Sequence, residues 1–130
     1  MRHVQQPAYS NQCGQACIAM LSGKDLDAVV DFMSMKGKTR TRDLVKTIRT
    51  GLGEMWGMQC PDKLIRLMDI IGTYPKYCIV KACSPDRRQA HWMLVFNGEL
   101  HDPATDGSPW PTCTWKITSY LPQTGGICST

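Results

Sequence analysis

The dipeptide Asn97-Gly98 constrains this chain more than any other feature. It stands between an apolar run, His91 to Phe96, and a short run, Glu99 to Asp102. Asn-Gly is the strongest short-range signal for a two-residue β-hairpin, because both central residues of a type I′ turn need positive φ. Such a turn also fixes the register of its strands. Phe96 then meets Glu99, Val95 meets Leu100, Leu94 meets His101 and Met93 meets Asp102. Directly opposed residues share a sheet face, and so do residues two apart on one strand. His91, Met93 and Asp102 therefore fall on one face and His101 on the other. Asp102 becomes the diagonal neighbour of His91, about 7 to 8 Å away by backbone and nearer by side chain.

The rest of the chain places this hairpin in a fold class. Pro7, Ser10 and Asn11 break any periodicity over residues 1 to 12. Cys13, Ala16, Cys17 and Met20 then fall at helical spacing, with Asn11 as candidate N-cap and Ser22-Gly23 as the stop. A second helix is predicted over Asp25 to Met35, with Leu26, Val29, Val30 and Met33 as its stripe. A basic loop, Lys36 to Arg42, leads to a third helix over Thr41 to Leu52, closed by Gly51 or Gly53. Pro61 suits the first turn of a fourth helix carrying Leu64, Ile65, Leu67, Met68 and Ile71, and ending at Gly72. Strands are predicted at Tyr77 to Cys83, His91 to Phe96, Glu99 to Asp102 and Thr112 to Tyr120. Helices come first and a small antiparallel sheet second, which is an α+β arrangement. At 130 residues the chain has the length of a single domain, residues 1 to 130. Its 42% apolar and 20% charged residues exclude a disordered chain.

The chemistry-bearing residues start from the thiols. There are seven cysteines, an odd number, and no apolar leader segment follows the amino terminus. Reduced thiols are the expectation, most of them buried as small apolar groups. Cys13 differs, since it opens a helix whose unpaired amides and dipole favour a thiolate. Gly14 leaves room for a substrate carbonyl, and the Cys13 amide can face a developing oxyanion. Cys17, one turn on, is expected to face the core. A thiolate needs a base, and the hairpin register offers His91 with Asp102 beside it to fix its tautomer. Gln5, Gln6 or Gln12 can supply a side-chain donor to the oxyanion; the residues alone do not choose among them.

Two segments resemble one family. Gln6-Pro-Ala-Tyr-Ser-Asn-Gln-Cys-Gly-Gln-Ala-Cys-Ile-Ala-Met-Leu is similar to the active-site segment of papain-like cysteine peptidases, closest to bacteriocin-processing, double-glycine-type peptidase domains and their small stand-alone relatives. His91-Trp-Met-Leu-Val-Phe-Asn-Gly-Glu-Leu-His-Asp-Pro resembles their His strand and the Asp-Pro after it. Gly37-Lys-Thr-Arg-Thr-Arg-Asp-Leu-Val-Lys resembles, more weakly, the link before a helix in such domains; the whole likeness covers roughly residues 5 to 107. It implies a papain-like fold with the nucleophile on the first helix, packed on a small antiparallel sheet. It implies a thiol hydrolase, foremost a cysteine peptidase working through an acyl-enzyme on a peptide or protein substrate. Cys13 would be the nucleophile, His91 the general base and then acid, Asp102 the orienting group and Gln6 the oxyanion donor, with Asp106 in reserve for the third member. The chain departs from the family in a Gln-to-Cys spacing one residue longer and in a short His-to-Asp gap. The family also holds amidase-like, deamidase-like and acyl-transferring members, and inactive ones that bind a partner.

Other features bound the partners. The net charge of +4 permits an anionic partner without demanding one. Lys36 to Arg49 holds six basic residues and one acidic, with no aromatic among them. That pattern permits a surface for nucleic acid or an acidic partner, but it reads better as a solvated helix face, and nucleic acid is not expected. No run reaches the roughly 18 apolar residues a membrane span needs, and the absence of a leader points to the cytoplasm of a bacterium or of a cell hosting a virus. No cofactor is expected. Cys78, Cys83, Cys113 and His101 have the wrong spacing for a zinc knuckle, so buried thiols are expected there. Trp92 is expected either to shield His91 or to join the core. Leu121-Pro-Gln-Thr-Gly resembles a sortase signal without its apolar span, a chance likeness, and Gly125-Gly126 offers a candidate self-cleavage site.

Overall fold

The hairpin forms in the expected register. Phe96 pairs with Glu99, Val95 with Leu100 and Leu94 with His101. Asn97 has φ 51° and Gly98 φ 80°, the positive pair that a type I′ turn demands. The structure is a computed structural model, which describes residues 1–8, 10–52, 64–66, 77–86, 89–105 and 116–122. In chain order these form α1 (Cys13–Ser22), α2 (Leu26–Met33), α3 (Thr41–Thr47) with a π-helical turn over Ile48–Leu52, β1 (Ile65–Arg66), β2 (Tyr77–Cys83), β3 (Ala90–Phe96), β4 (Glu99–His101) and β5 (Lys116–Pro122). The strands make one sheet in the order β1-β5-β2-β3-β4, and every neighbouring pair is antiparallel. The α+β class is therefore as expected.

Apolar residues cover both faces of the sheet. On the helix side, Cys17, Ile18 and Met20 of α1, Val29 of α2, Leu44 of α3 and Ile48 pack on Ile79, Trp92, Leu94 and Leu121. On the other side, Cys78, Val80, Ala82, Met93, Val95 and Ile117 form a second cluster, with Leu100 and Tyr120 against it. Strands buried on both faces read as continuous apolar runs, which explains why β2 and β3 alternate so little in sequence. Each fully buried Leu, Ile or Met contributes about 1.5–3 kcal/mol relative to exposure.

Several boundaries differ from the sequence reading. The Asn11 side chain does not cap α1; Gln12 holds the N-cap position without a side-chain bond, and its carbonyl accepts the Ala16 amide at 2.9 Å. Gly23, at φ 72°, closes α1 as expected. Helix α2 stops two residues early, because Ser34 turns left-handed at φ 55°. Helix α3 gives way to the π-turn where Thr47 and Thr50 hydroxyls donate to the Asp43 and Lys46 carbonyls, each at 2.8 Å. Such back-bonding competes with regular helix geometry. Ile65 and Arg66 are not helical; they extend opposite Ile117 and Lys116 of β5. Pairing with a distant strand overrides the local helical spacing there. The remainder of the predicted Pro61–Gly72 helix, apart from Leu64, lies outside the described residues, as do Cys60, Asp106, Trp110, Cys113, Trp115, Gly125, Gly126 and Cys128. Strand β5 runs two residues beyond Tyr120, and burial of Leu121 within it takes that residue out of any signal-like tail. Among the described residues, no helix is long and apolar enough to cross a membrane.

Candidate active site

Strand β4 ends because the next rungs are Asp102 and Pro103. Continuing the register would set Pro103 opposite Trp92, and proline has no N–H to give a ladder. Ladder alternation aims the Trp92 amide toward that missing partner. The amide donates instead to Cys13 Sγ, at 3.4 Å. The sulfur at the start of α1 thus lies at the open edge of the sheet rather than over one face. His91 and Trp92 point to opposite faces, yet from this edge position the thiol is near enough to the His91 ring for each to shift the other's titration.

The Asp102 carboxylate closes the line. Asp102 Oδ1 accepts the His91 Nε2 hydrogen and also the Ala104 amide at 2.9 Å. The Asp102 carbonyl accepts the Thr105 amide and hydroxyl, each at 3.0 Å, so the carboxylate is fixed by a turn of its own making. With Nε2 committed to Asp102, Nδ1 is the ring nitrogen left for the sulfur. His91 is largely and Asp102 almost wholly buried, the side chains being 13% and 1% exposed. The described residues therefore bring Cys13, His91 and Asp102 together. Asp106 lies outside them.

The electrostatics favour a separated charge. Burial pushes the Cys13 thiol up, but the His91 hydrogen bond and charge, helped by the Trp92 and Gly14 amides, bring it below its ordinary value. Burial pushes His91 down, while the hydrogen bonds to Asp102 and Cys13 and their charges raise it to about 9. Both shifts stabilise thiolate beside imidazolium. Cys17 is wholly buried, and desolvation drives its thiol well up, as does the nearby Cys13. Burial pushes Cys78 up to about 12. These two are inert core thiols. His101 lies on the face opposite His91; burial and neighbouring His3 press its pKa down.

Gln6, Ser10, Lys38, Lys81 and Gln89 join Cys13 and His91 around a cleft of about 430 Å³. Of the three glutamines open as oxyanion donors, only Gln6 lines this cleft. Its Nε2 donates to the Ser10 carbonyl at 2.8 Å and reaches the Ser10 hydroxyl at 3.4 Å. In this arrangement its donors are engaged within the loop, and its buried Oε1 has no hydrogen-bond partner among the described residues. Gly14 does not serve as a substrate notch. A Cβ there would lie 2.0 Å from Thr39 Oγ1 and 3.2 Å from Leu44 Cδ2, so the space belongs to the protein's own loop. Trp92 is core, 3% exposed, with its indole N–H on the Thr39 carbonyl at 3.3 Å.

Sequence reasoning missed Lys81, whose Nζ lies 5.5 Å from the centre of the Trp92 ring. The only signal for it was a lone charge in an otherwise apolar strand, Tyr77–Cys83. It also missed the amino-terminal segment. The Gln6 amide donates to the Pro103 carbonyl at 2.7 Å, and His3 Nε2 to the Thr105 carbonyl at 2.8 Å. These bonds brace the turn that carries Asp102. Compared with known proteins, the chain matches no protein-family model. No curated protein matches it either.

Proposed function

We propose that the chain is a thiol hydrolase of the papain-like kind, acting as a cysteine peptidase. The observation that carries this reading is the line of Cys13 sulfur, His91 ring and Asp102 carboxylate, with sulfur and ring shifted toward a thiolate–imidazolium pair. The thiolate attacks a peptide carbonyl carbon, and the oxygen becomes an oxyanion near the start of α1, where amide donors gather. His91 gives its proton to the leaving amine as the C–N bond breaks. The acyl group stays on Cys13 as a thioester. His91 then takes a proton from water, whose oxygen attacks the thioester; collapse releases the acid and restores the thiol. Asp102 holds the ring with Nδ1 toward sulfur throughout. Gln6 lends its amide to the oxyanion once Ser10 releases it. The four cysteines among the described residues are free thiols, which, with this chemistry, suits the cytoplasm of a bacterium or of a cell hosting a virus.

The test is proteolysis of a denatured bacterial proteome, read by mass spectrometry of new amino termini. The wild-type chain is expected to create them, and Cys13→Ala, with an unchanged circular dichroism spectrum, to create none. New termini made equally by Cys13→Ala sink the hydrolase. Changed side-chain masses without cleavage assign amidase, deamidase or acyl-transfer chemistry to the same three residues. No product of any kind assigns a binding protein on an inactive scaffold. The engaged Gln6 amide is the observation that favours this second reading.

A further inference from the structure

The basic stretch is solvent-exposed as expected, and it also lines a concavity. A groove of about 950 Å³ is walled by Lys38, Arg40, Arg42, Lys46, Arg49 and Lys81, and otherwise by threonines and Val45. Among the described residues, no Asp or Glu lines it. Asp43, the one acidic residue in this stretch, accepts the Arg40 backbone amide at 2.8 Å and pairs with the Arg40 guanidinium at 3.6 Å. Lys38 and Lys81 also border the cleft that holds Cys13 and His91, so the two hollows share a wall.

The loop carrying Lys38 and Arg40 is fastened to the elements of the thiol site. Buried Gln15 of α1 donates to the Met35 and Gly37 carbonyls at 3.1 and 2.8 Å. The Trp92 indole of β3 holds the Thr39 carbonyl at 3.3 Å. Thr39 itself is seated against Gly14. The backbone that carries Lys38 and Arg40 is thereby fixed before any ligand arrives, which lowers the ordering cost of binding one. Like charges gathered in a concavity focus a positive potential that draws an anionic partner.

We propose that this groove binds an acidic polypeptide segment and leads it into the Cys13 cleft. The proposal names the substrate class for the function proposed above, and rests on that reading only for the chemistry after docking. Carboxylate side chains on an extended chain suit the several Arg and Lys heads that line the groove. A nucleic acid fits less well. Single strands bind by stacking bases on aromatic rings, and no aromatic among the described residues lines the groove. The nearby Trp92 indole is buried beneath Lys81.

The test is fluorescence anisotropy with full-length Cys13→Ala protein, which separates binding from turnover. The probes are a fluorescein-labelled Glu-rich decapeptide, its Gln counterpart and a single-stranded oligonucleotide of equal charge. The Glu peptide is expected to bind about tenfold tighter than the Gln peptide, and to weaken several-fold as salt rises past the point where charges are screened. Arg42→Glu with Lys46→Glu is expected to lose about tenfold or more with no drop in melting temperature, both side chains being exposed. Should that pair fail to fold, Arg42→Gln alone is expected to lose about threefold. Equal affinity for the two peptides, or affinity unmoved by the charge changes, overturns the proposal. An oligonucleotide binding as tightly as the Glu peptide overturns it in favour of nucleic acid. Binding intact in a chain whose wild type turns nothing over sinks the hydrolase and leaves the groove standing.

Discussion

His91 divides its two ring nitrogens between a carboxylate and a sulfur, and its titration reflects that division. Its pKa is raised to about 9, so the imidazolium persists through neutral pH. Activity is expected to rise with loss of the Cys13 proton, which is held below its ordinary value, and to fall again near pH 9, as a bell in kcat/KM. Because the folded pKa exceeds the unfolded one, the proton on His91 adds stability that is full below the unfolded value, about 6.5, and is lost as pH rises through about 9. Iodoacetamide should alkylate Cys13 at pH 6 faster than an ordinary thiol; His91→Ala should move that reactivity up in pH, and an unmoved profile would show that the ring does not tune the sulfur. Asp102→Ala strands two donors, His91 Nε2–H and the Ala104 amide. It should cost about 1–3 kcal/mol of stability in urea unfolding and lower turnover by roughly a hundredfold or more.

At the scale of elements, two glycines do different work. Gly98, at φ 80°, keeps the hairpin register that puts Asp102 beside His91. Gly98→Ala should cost about 1 kcal/mol, read as a lowered melting temperature. Gly14 lets α1 lie against the 38–40 loop, and Gly14→Ala must push Thr39 away. That overpacking should cost about 1–3 kcal/mol, and it should weaken the groove as well as the thiol site, because Thr39 sits between them. The hairpin was legible because Asn97-Gly98 acts locally: turn geometry sets register, register sets faces, and faces pair His91 with Asp102. The Cys13 helix was legible for a similar reason, its spacing being local. Ile65 and Arg66 were not, since their conformation depends on β5, about fifty residues later, and on no periodicity of their own. The reason for Gly14 was hidden in the same way, because Thr39 is remote in sequence. The concavity of the basic stretch was hidden too, because Lys81 of β2, remote in sequence, also lines it.

At the scale of the whole molecule, the site exists only when distant parts close on one another. Cys13 comes with the helices, His91 and Asp102 with the sheet, and the cluster around Cys17, Leu44, Ile79 and Leu94 joins them. Leu94 is fully buried in that cluster, and Leu94→Ala should cost about 2–5 kcal/mol in urea unfolding. Cys13 reactivity at pH 6 should then vanish along the same denaturant curve as the circular dichroism signal; reactivity that outlives the fold would mean the low pKa is local to α1. The bond from the Trp92 amide to sulfur has a last consequence. Sheet growth and thiol chemistry compete for one hydrogen. A hairpin extended as far as Trp92, with a residue other than proline after Asp102, would offer that amide a backbone carbonyl and take from the sulfur one of the donors that hold its pKa down, with none of the three side chains changed. The length of a ribbon thus bears on the reactivity of a cysteine carried by another element.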